Sequence, residues 1–140
     1  MRQKLNLITL GVDNFQKSVN FYEKLGWTKS DKSLDDLALF PLGGIILALH
    51  PRIELEADTT LIYQPTPFCG LTMSYNAKSE QEVDDILNRV AELGATIVKS
   101  AHKVYWGGYS GYFKDLDGHL FEVAYNPFWH LDENDNVKLS

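Results

Sequence analysis

The chain repeats itself, and that limits its fold more than any other feature. LITLGVDN at 7–14 returns as GLTMSYNA at 70–77, and the KLG that closes at Gly26 returns as the ELG that closes at Gly94. IILALHP, ending at Pro51, returns as FEVAYNP, ending at Pro127. The anchors keep their order while their spacing drifts, so the second copy carries insertions and not a rearrangement.

Each copy reads as a strand, a helix and three further strands. Ile8, Leu10 and Val12 alternate with Leu7, Thr9 and Gly11, the period of a strand. Phe15, Val19, Tyr22 and Leu25 fall at helical spacing, and Gly26 supplies the stop. The second helix opens on a capping box, Ser79 with Glu82, and runs on through Val83, Ile86, Leu87, Val90 and Leu93. The remaining patterns predict strands near 27–30, 36–41 and 44–50, then near 95–105, 109–114 and 119–125. Breaks fall at Pro41–Gly44, at Gly107-Gly108, where the glycines are expected to bend a strand, and at the turn dipeptide Asp117-Gly118. The expected fold class is α+β, two βαβββ modules in a single domain. Module one covers about 5–50 and module two about 69–127. A proline-bearing linker at 51–68 includes one short extended piece at 60–63. A tail at 128–140 starts with Phe128 and Trp129, which are expected to pack down, and its end is expected to fray.

Composition narrows the partners. At 140 residues, with 44% apolar and 23% charged side chains, the chain can bury a core without staples. Thirteen basic residues against nineteen acidic ones give a net charge of −6, and no basic run interrupts this, so neither nucleic acid nor a membrane surface is an expected partner. The single cysteine, Cys69, has no internal disulfide partner. The opening MRQKLNLITLGVD is too short and polar for a signal peptide or membrane span, so a cytoplasmic location is expected.

Two motifs carry a family resemblance that covers residues 5 to 127. Val12-Asp13-Asn14-Phe15, leading through Ser18-Val19-Asn20-Phe21-Tyr22 to Leu25-Gly26-Trp27, is similar to the first-module signature of the vicinal-oxygen-chelate superfamily, which groups glyoxalases, bleomycin-resistance proteins and extradiol dioxygenases. Tyr112-Phe113-Lys114-Asp115-Leu116-Asp117-Gly118-His119-Leu120-Phe121-Glu122-Val123 resembles its closing hairpin, with Leu116 where a proline is usual. The stretch Tyr105–Tyr112 also resembles a bacterial "glyoxalase family" subgroup without a settled substrate. The resemblance implies a half-open barrel of two modules around a cavity, and commonly a homodimer, whose seam Phe128 and Trp129 could cover. It also implies metal ligands on the first and last strand of each module, which here fall at Leu7, about Ile46, Gly70 and Glu122. Only Glu122 has a side chain that can bind a cation, far short of three or four ligands. No metal and no cofactor are therefore expected, which speaks against glyoxalase I, extradiol dioxygenase and fosfomycin thiol-transfer activity.

The expected site lies on the face that Glu122 shares with Leu120 and Ala124. Tyr112 and Ser110 come to that face by parity, Trp106 walls the entrance, and His102, on the long sixth strand, is the one histidine placed to look inward. For the aromatics the alternative is core packing, for His102 an ordinary strand histidine. For Glu122 it is an internal hydrogen bond to Tyr112 or to backbone. These residues suggest a protein that binds or sequesters a small apolar or aromatic ligand, as bleomycin-resistance proteins do. The alternative is an enzyme, a lyase, isomerase or dioxygenase of that superfamily, with Glu122 as general base or with a displaced metal site.

Overall fold

The computed structural model describes residues 1–139 and divides the chain into two compact units, Met1–Pro67 and the stretch from Phe68 to the C-terminus. The first unit holds β1 (Leu7–Val12), α1 (Phe15–Lys24), β2 (Ala38–Pro41), β3 (Ile46–Pro51) and α2 (Arg52–Thr59). The second holds β4 (Met73–Ala77), α3 (Glu80–Glu92), β5 (Thr96–Lys103), β6 (Tyr109–Lys114) and β7 (Leu120–Tyr125), then the short strands β8 (His130–Leu131) and β9 (Val137–Lys138). The fold is the expected mixture of helix and sheet. None of the described helices is long and apolar enough to cross a membrane.

In the first unit the sheet order is β1-β3-β2, with β1 parallel and β2 antiparallel to β3. Asn14 caps α1 by accepting from the Lys17 N–H at 3.0 Å. The helix buries Val19, Phe21 and Tyr22, and Tyr22 stacks on Trp27 at 5.3 Å and tilts against Phe40 at 6.0 Å. The strand expected near 27–30 does not form. Ser30 N–H reaches the Leu39 carbonyl at 2.8 Å, but the next partner of the Leu39 N–H is the Ser33 hydroxyl at 2.9 Å, so a side chain ends the ladder before it starts. The linker expected at 51–68 begins instead with α2, which lies against β1 and β3. Arg52 pairs with Asp13 at 2.6 Å, and Thr60 ends the helix in the left-handed region at φ 61°; no strand forms at 60–63.

The second unit follows the expected βαβββ order, with sheet order β4-β7-β6-β5. α3 lies across β5, β6 and β7 and buries Val83, Leu87 and Val90. Beneath it Phe113 and Phe121 stack at 5.0 Å. Gly111 has no room for a Cβ, which would sit 2.6 Å from Leu87 and 2.8 Å from the Lys99 carbonyl, so the helix and β5 close onto β6 only over a glycine. The capping box is displaced by one residue: Ser79 accepts from Glu82 N–H at 3.1 Å, but Glu82 accepts from Lys78 N–H and from the Tyr75 hydroxyl, each at 2.6 Å.

Tyr75 is shifted by this arrangement. Its burial, then the hydrogen bond to Glu82 and the charges of Glu82 and Asp135, raise its pKa from 10.0 to about 12. An unfolded tyrosine ionises near 10, so between that pH and about 12 the folded chain keeps a proton the unfolded chain has lost. The stability contributed by Tyr75 is complete below pH 10 and is lost as pH rises through about 12. Tyr109 and Tyr112 are raised as well, so a phenolate absorbance titration of the native protein is expected to show several late steps, and Tyr75→Phe to remove the one at about pH 12.

The tail expected to fray is paired as far as Lys138, and its last residue, Ser140, lies outside the described residues. β8 and β9 pair as a hairpin whose turn is tied by the Asp132 carboxylate, which accepts from Asn134 N–H at 2.8 Å and Asn136 N–H at 2.9 Å.

Candidate functional site

The two faces of the β4–β7 sheet differ in chemistry. Tyr109, Gly111, Phe113, Phe121 and Val123 belong to the face that meets α3, as the Tyr109 hydroxyl on Asp84 at 2.7 Å marks. Alternation sends Ser74, Asn76, Ser110, Tyr112, Glu122 and Ala124 to the other face. The register then lines them up: Ser74 beside Glu122 beside Tyr112, and Asn76 beside Ala124 beside Ser110.

Glu122 is held at both oxygens. Ser74 Oγ donates to Oε1 at 3.0 Å and Tyr112 Oη donates to Oε2 at 3.0 Å. The hydrogen bond to Tyr112 weighed from the sequence is therefore present, and a second one joins it. Both partners are neutral hydroxyls, so the carboxylate is oriented without being neutralised. Burial, then the hydrogen bond to Glu122 and its charge, push the Tyr112 phenol above its ordinary pKa. It stays protonated, a donor, at neutral pH.

Glu122 and Ala124 form the floor of a cleft of about 430 Å³, whose walls include Trp106, Phe128 and Trp129. Trp106 sits in the turn after β5, closed by Gly107 N–H on the Val104 carbonyl and Val104 N–H on the Gly108 carbonyl, both at 3.0 Å. The two glycines do not bend a strand, as expected, but seat two rings. A Cβ on Gly107 would meet the Phe128 ring at 3.0 Å, and one on Gly108 would meet the Trp106 indole at 1.7 Å. Asn126 then aims the next aromatics: its Oδ1 accepts from Phe128 N–H at 2.9 Å, and its carbonyl from Trp129 N–H at 3.2 Å. Phe128 and Trp129 remain 70% and 51% exposed, so the start of the tail walls the cleft where packing was expected.

Gly108→Ala tests this seating. The obstructed atoms are the far end of an indole, so the ring can swing away with little cost to the fold. Expected are unchanged circular dichroism and a red shift of tryptophan emission as Trp106 moves into water.

The other residues expected in the site divide. Ser110 lies on the Glu122 face beside Ala124 but is only 2% exposed and does not line the cleft. His102 is paired with Ser110 across the β5–β6 ladder, with Nδ1 2.9 Å from the Ser100 carbonyl, and does not line it either. Tyr112 and the unexpected Ser74 do not line it themselves but meet it through their hydrogen bonds to Glu122. Asn76, Asn126, Phe128 and Trp129, which do line it, were not expected there. Gly70 precedes β4 with φ 82°, and the strand residue beside Glu122 is Ser74, four positions on. In the first unit the ladder does bring Leu7 and Ile46 side by side, as the resemblance implied.

A transition metal does not fit this donor set. One carboxylate, two hydroxyls already committed to it and nearby carboxamides fall short of a ligand shell, and among the described residues no three His, Cys, Asp or Glu are grouped to hold an ion.

Comparisons with known proteins give this geometry a setting. Residues 4–123 match the family model described as Glyoxalase/Bleomycin resistance protein/Dioxygenase superfamily. The metallothiol transferase FosB of Shouchella clausii is 31% identical over 120 residues, which span 85% of this chain and 77% of the relative. The glutathione transferase FosA of Serratia marcescens is 31% identical over 124 residues, 88% of this chain and 81% of the relative. A glyoxalase-related enzyme from Fulvimarina pelagi superposes with a TM-score of 0.88 at 27% identity over 99% of both chains. These relatives are named as enzymes, and that overturns the expectation of a protein that only binds or sequesters its ligand. Apolar walls with a few polar groups are common to both kinds of site, so the composition of the strands could not separate them.

Proposed function

Because the chain belongs to the Glyoxalase/Bleomycin resistance protein/Dioxygenase superfamily, we propose that it is an enzyme that joins a thiol to a small electrophilic molecule, with Glu122 as general base. The observation that carries this is the Glu122 carboxylate on the cleft floor, held at each oxygen by a neutral hydroxyl at 3.0 Å. Support for thiol transfer comes from the names of the two transferases.

The chemistry closes on these residues alone. Glu122 takes the S–H proton as the sulfur electron pair forms a bond to the electrophilic carbon. The bond from that carbon to its oxygen leaving group breaks, and its electron pair stays on oxygen. Tyr112, kept protonated by burial and by Glu122, gives that oxygen its proton. Glu122 then returns a proton to Tyr112 across their hydrogen bond, and both are restored.

The test is consumption of free thiol by the purified protein, with glutathione and cysteine as donors and simple epoxides as acceptors. Thioether formation above the uncatalysed rate is expected, and Tyr112→Phe should lower kcat more than it changes KM, because its proton is needed at the leaving oxygen. A folded protein that accelerates none of these reactions would count against the proposal.

A further inference from the structure

The cleft that holds Glu122 is aromatic, and the one charge that lines it is negative. Trp106, Phe128 and Trp129 supply rings, Asn76 and Asn126 supply carboxamides, and among the described residues no Lys, Arg or His lines it. Its surroundings have the same sign. A second hollow of about 340 Å³ shares Asn126 and Trp129 with it and carries Asp132 and Asp135, against Lys78 and His130. Lys78 is bound to Asp135 at 2.7 Å. Asp132 is held below the ordinary carboxylate range by the backbone N–H groups of Asn136 and Asn134, and the whole chain carries −6.

Ring faces carry negative potential, so a cation over them gains energy where an anion loses it. The surrounding carboxylates add to that difference at longer range. Two of the rings also lie over Gly107 and Gly108, and the Asn126 turn ties down the backbone that carries Phe128 and Trp129. We infer that the molecule taken by this cleft is a small organic cation, an alkyl- or arylammonium, held against Trp106, Phe128 and Trp129. This rests on the cleft being the substrate site, and makes the electrophilic partner in thiol transfer a positively charged one. Phosphonates, phosphates and carboxylates, which need a cation in the wall, are excluded as that partner.

Tryptophan fluorescence titration without any thiol tests this, because two of the three tryptophans line the cleft. The probes are benzyltrimethylammonium, its neutral isostere neopentylbenzene, and benzylphosphonate. The cation should bind about tenfold tighter than the isostere, and the phosphonate should give no saturable signal. Phe128→Ala and Trp129→Ala remove exposed side chains, so they should weaken the cation several-fold with circular dichroism unchanged. Absence of saturable cation binding, equal binding of the isostere, saturable phosphonate binding, or cation binding unaffected by either variant would each overturn the inference. A failure of thiol transfer would leave these titrations as they are. Transfer to a phosphonate-bearing acceptor with no cation preference would end this inference and leave thiol transfer standing.

Discussion

Glu122→Gln should lower kcat for thiol transfer by roughly 10²- to 10⁴-fold, the range over which a positioned general base contributes. The substitution keeps the shape of the side chain and its neighbours. Ser74 and Tyr112 can each donate or accept by turning their hydroxyls, so the amide finds partners where the carboxylate oxygens had them. Stability near neutral pH should therefore change by less than about 1 kcal/mol. KM should rise by less than kcat falls, since the rings that hold the substrate are untouched and only the one charge lining the cleft is lost. Steady-state kinetics with a urea melt on the same preparation separates the outcomes. A variant that keeps its rate places the proton transfer elsewhere; one that unfolds makes Glu122 a structural residue.

The second large effect belongs to the first unit and concerns stability alone. Phe40 is fully buried, with Tyr22 at 6.0 Å and Trp27 at 6.3 Å between ring centroids. Phe40→Ala removes a ring from the centre of that cluster and leaves a cavity, at a cost of about 3–5 kcal/mol. Domains of ordinary stability have about 5–15 kcal/mol in all, so the urea midpoint should fall by roughly a fifth or more. The void faces packed neighbours, because Tyr22 on α1 and Leu47, the partner of Phe40 across the β2–β3 ladder, are themselves 1% and 2% exposed. A loss under about 1 kcal/mol would show that the α1 packing relaxes to fill the gap.

The second copy of the repeat was far more legible than the first, and particular residues show why. β6 occupies 109–114 as the sequence predicted, since Tyr109, Gly111 and Phe113 alternate with Ser110 and Tyr112 between clear turn signals. α3 likewise follows its apolar stripe. In the first copy, Lys29 to Ser33 is polar throughout, so nothing tied that segment to a sheet face, and Ser33 took the hydrogen bond a neighbouring strand would have used. α2 was masked by the prolines on either side of it, Pro51 and Pro65, although Arg52 to Ala57 holds good helix formers free of proline. Parity and motif placed Glu122 and Tyr112 side by side on one sheet face, and the ladder pairs them so. Ser74 beside Glu122 was not legible, because the repeat matches LITL to the residues from Gly70 and so starts β4 too early. The cap at Ser79 held the missing signal: a five-residue strand ending two residues before it begins at Met73. The aromatic tail was misplaced for another reason. Periodicity says nothing about a turn, and it is the Asn126 hydrogen bond to the Phe128 N–H, with the space over Gly107, that places Phe128.

The central claim is that Glu122 and Tyr112 carry the reaction without a metal, and one measurement meets it directly. Thiol transfer should be assayed before and after exhaustive chelation, with elemental analysis of the same samples. The account predicts an unchanged rate in protein from which zinc, nickel, manganese and iron have been removed. Loss of activity on chelation, restored by one equivalent of a divalent ion, would contradict it.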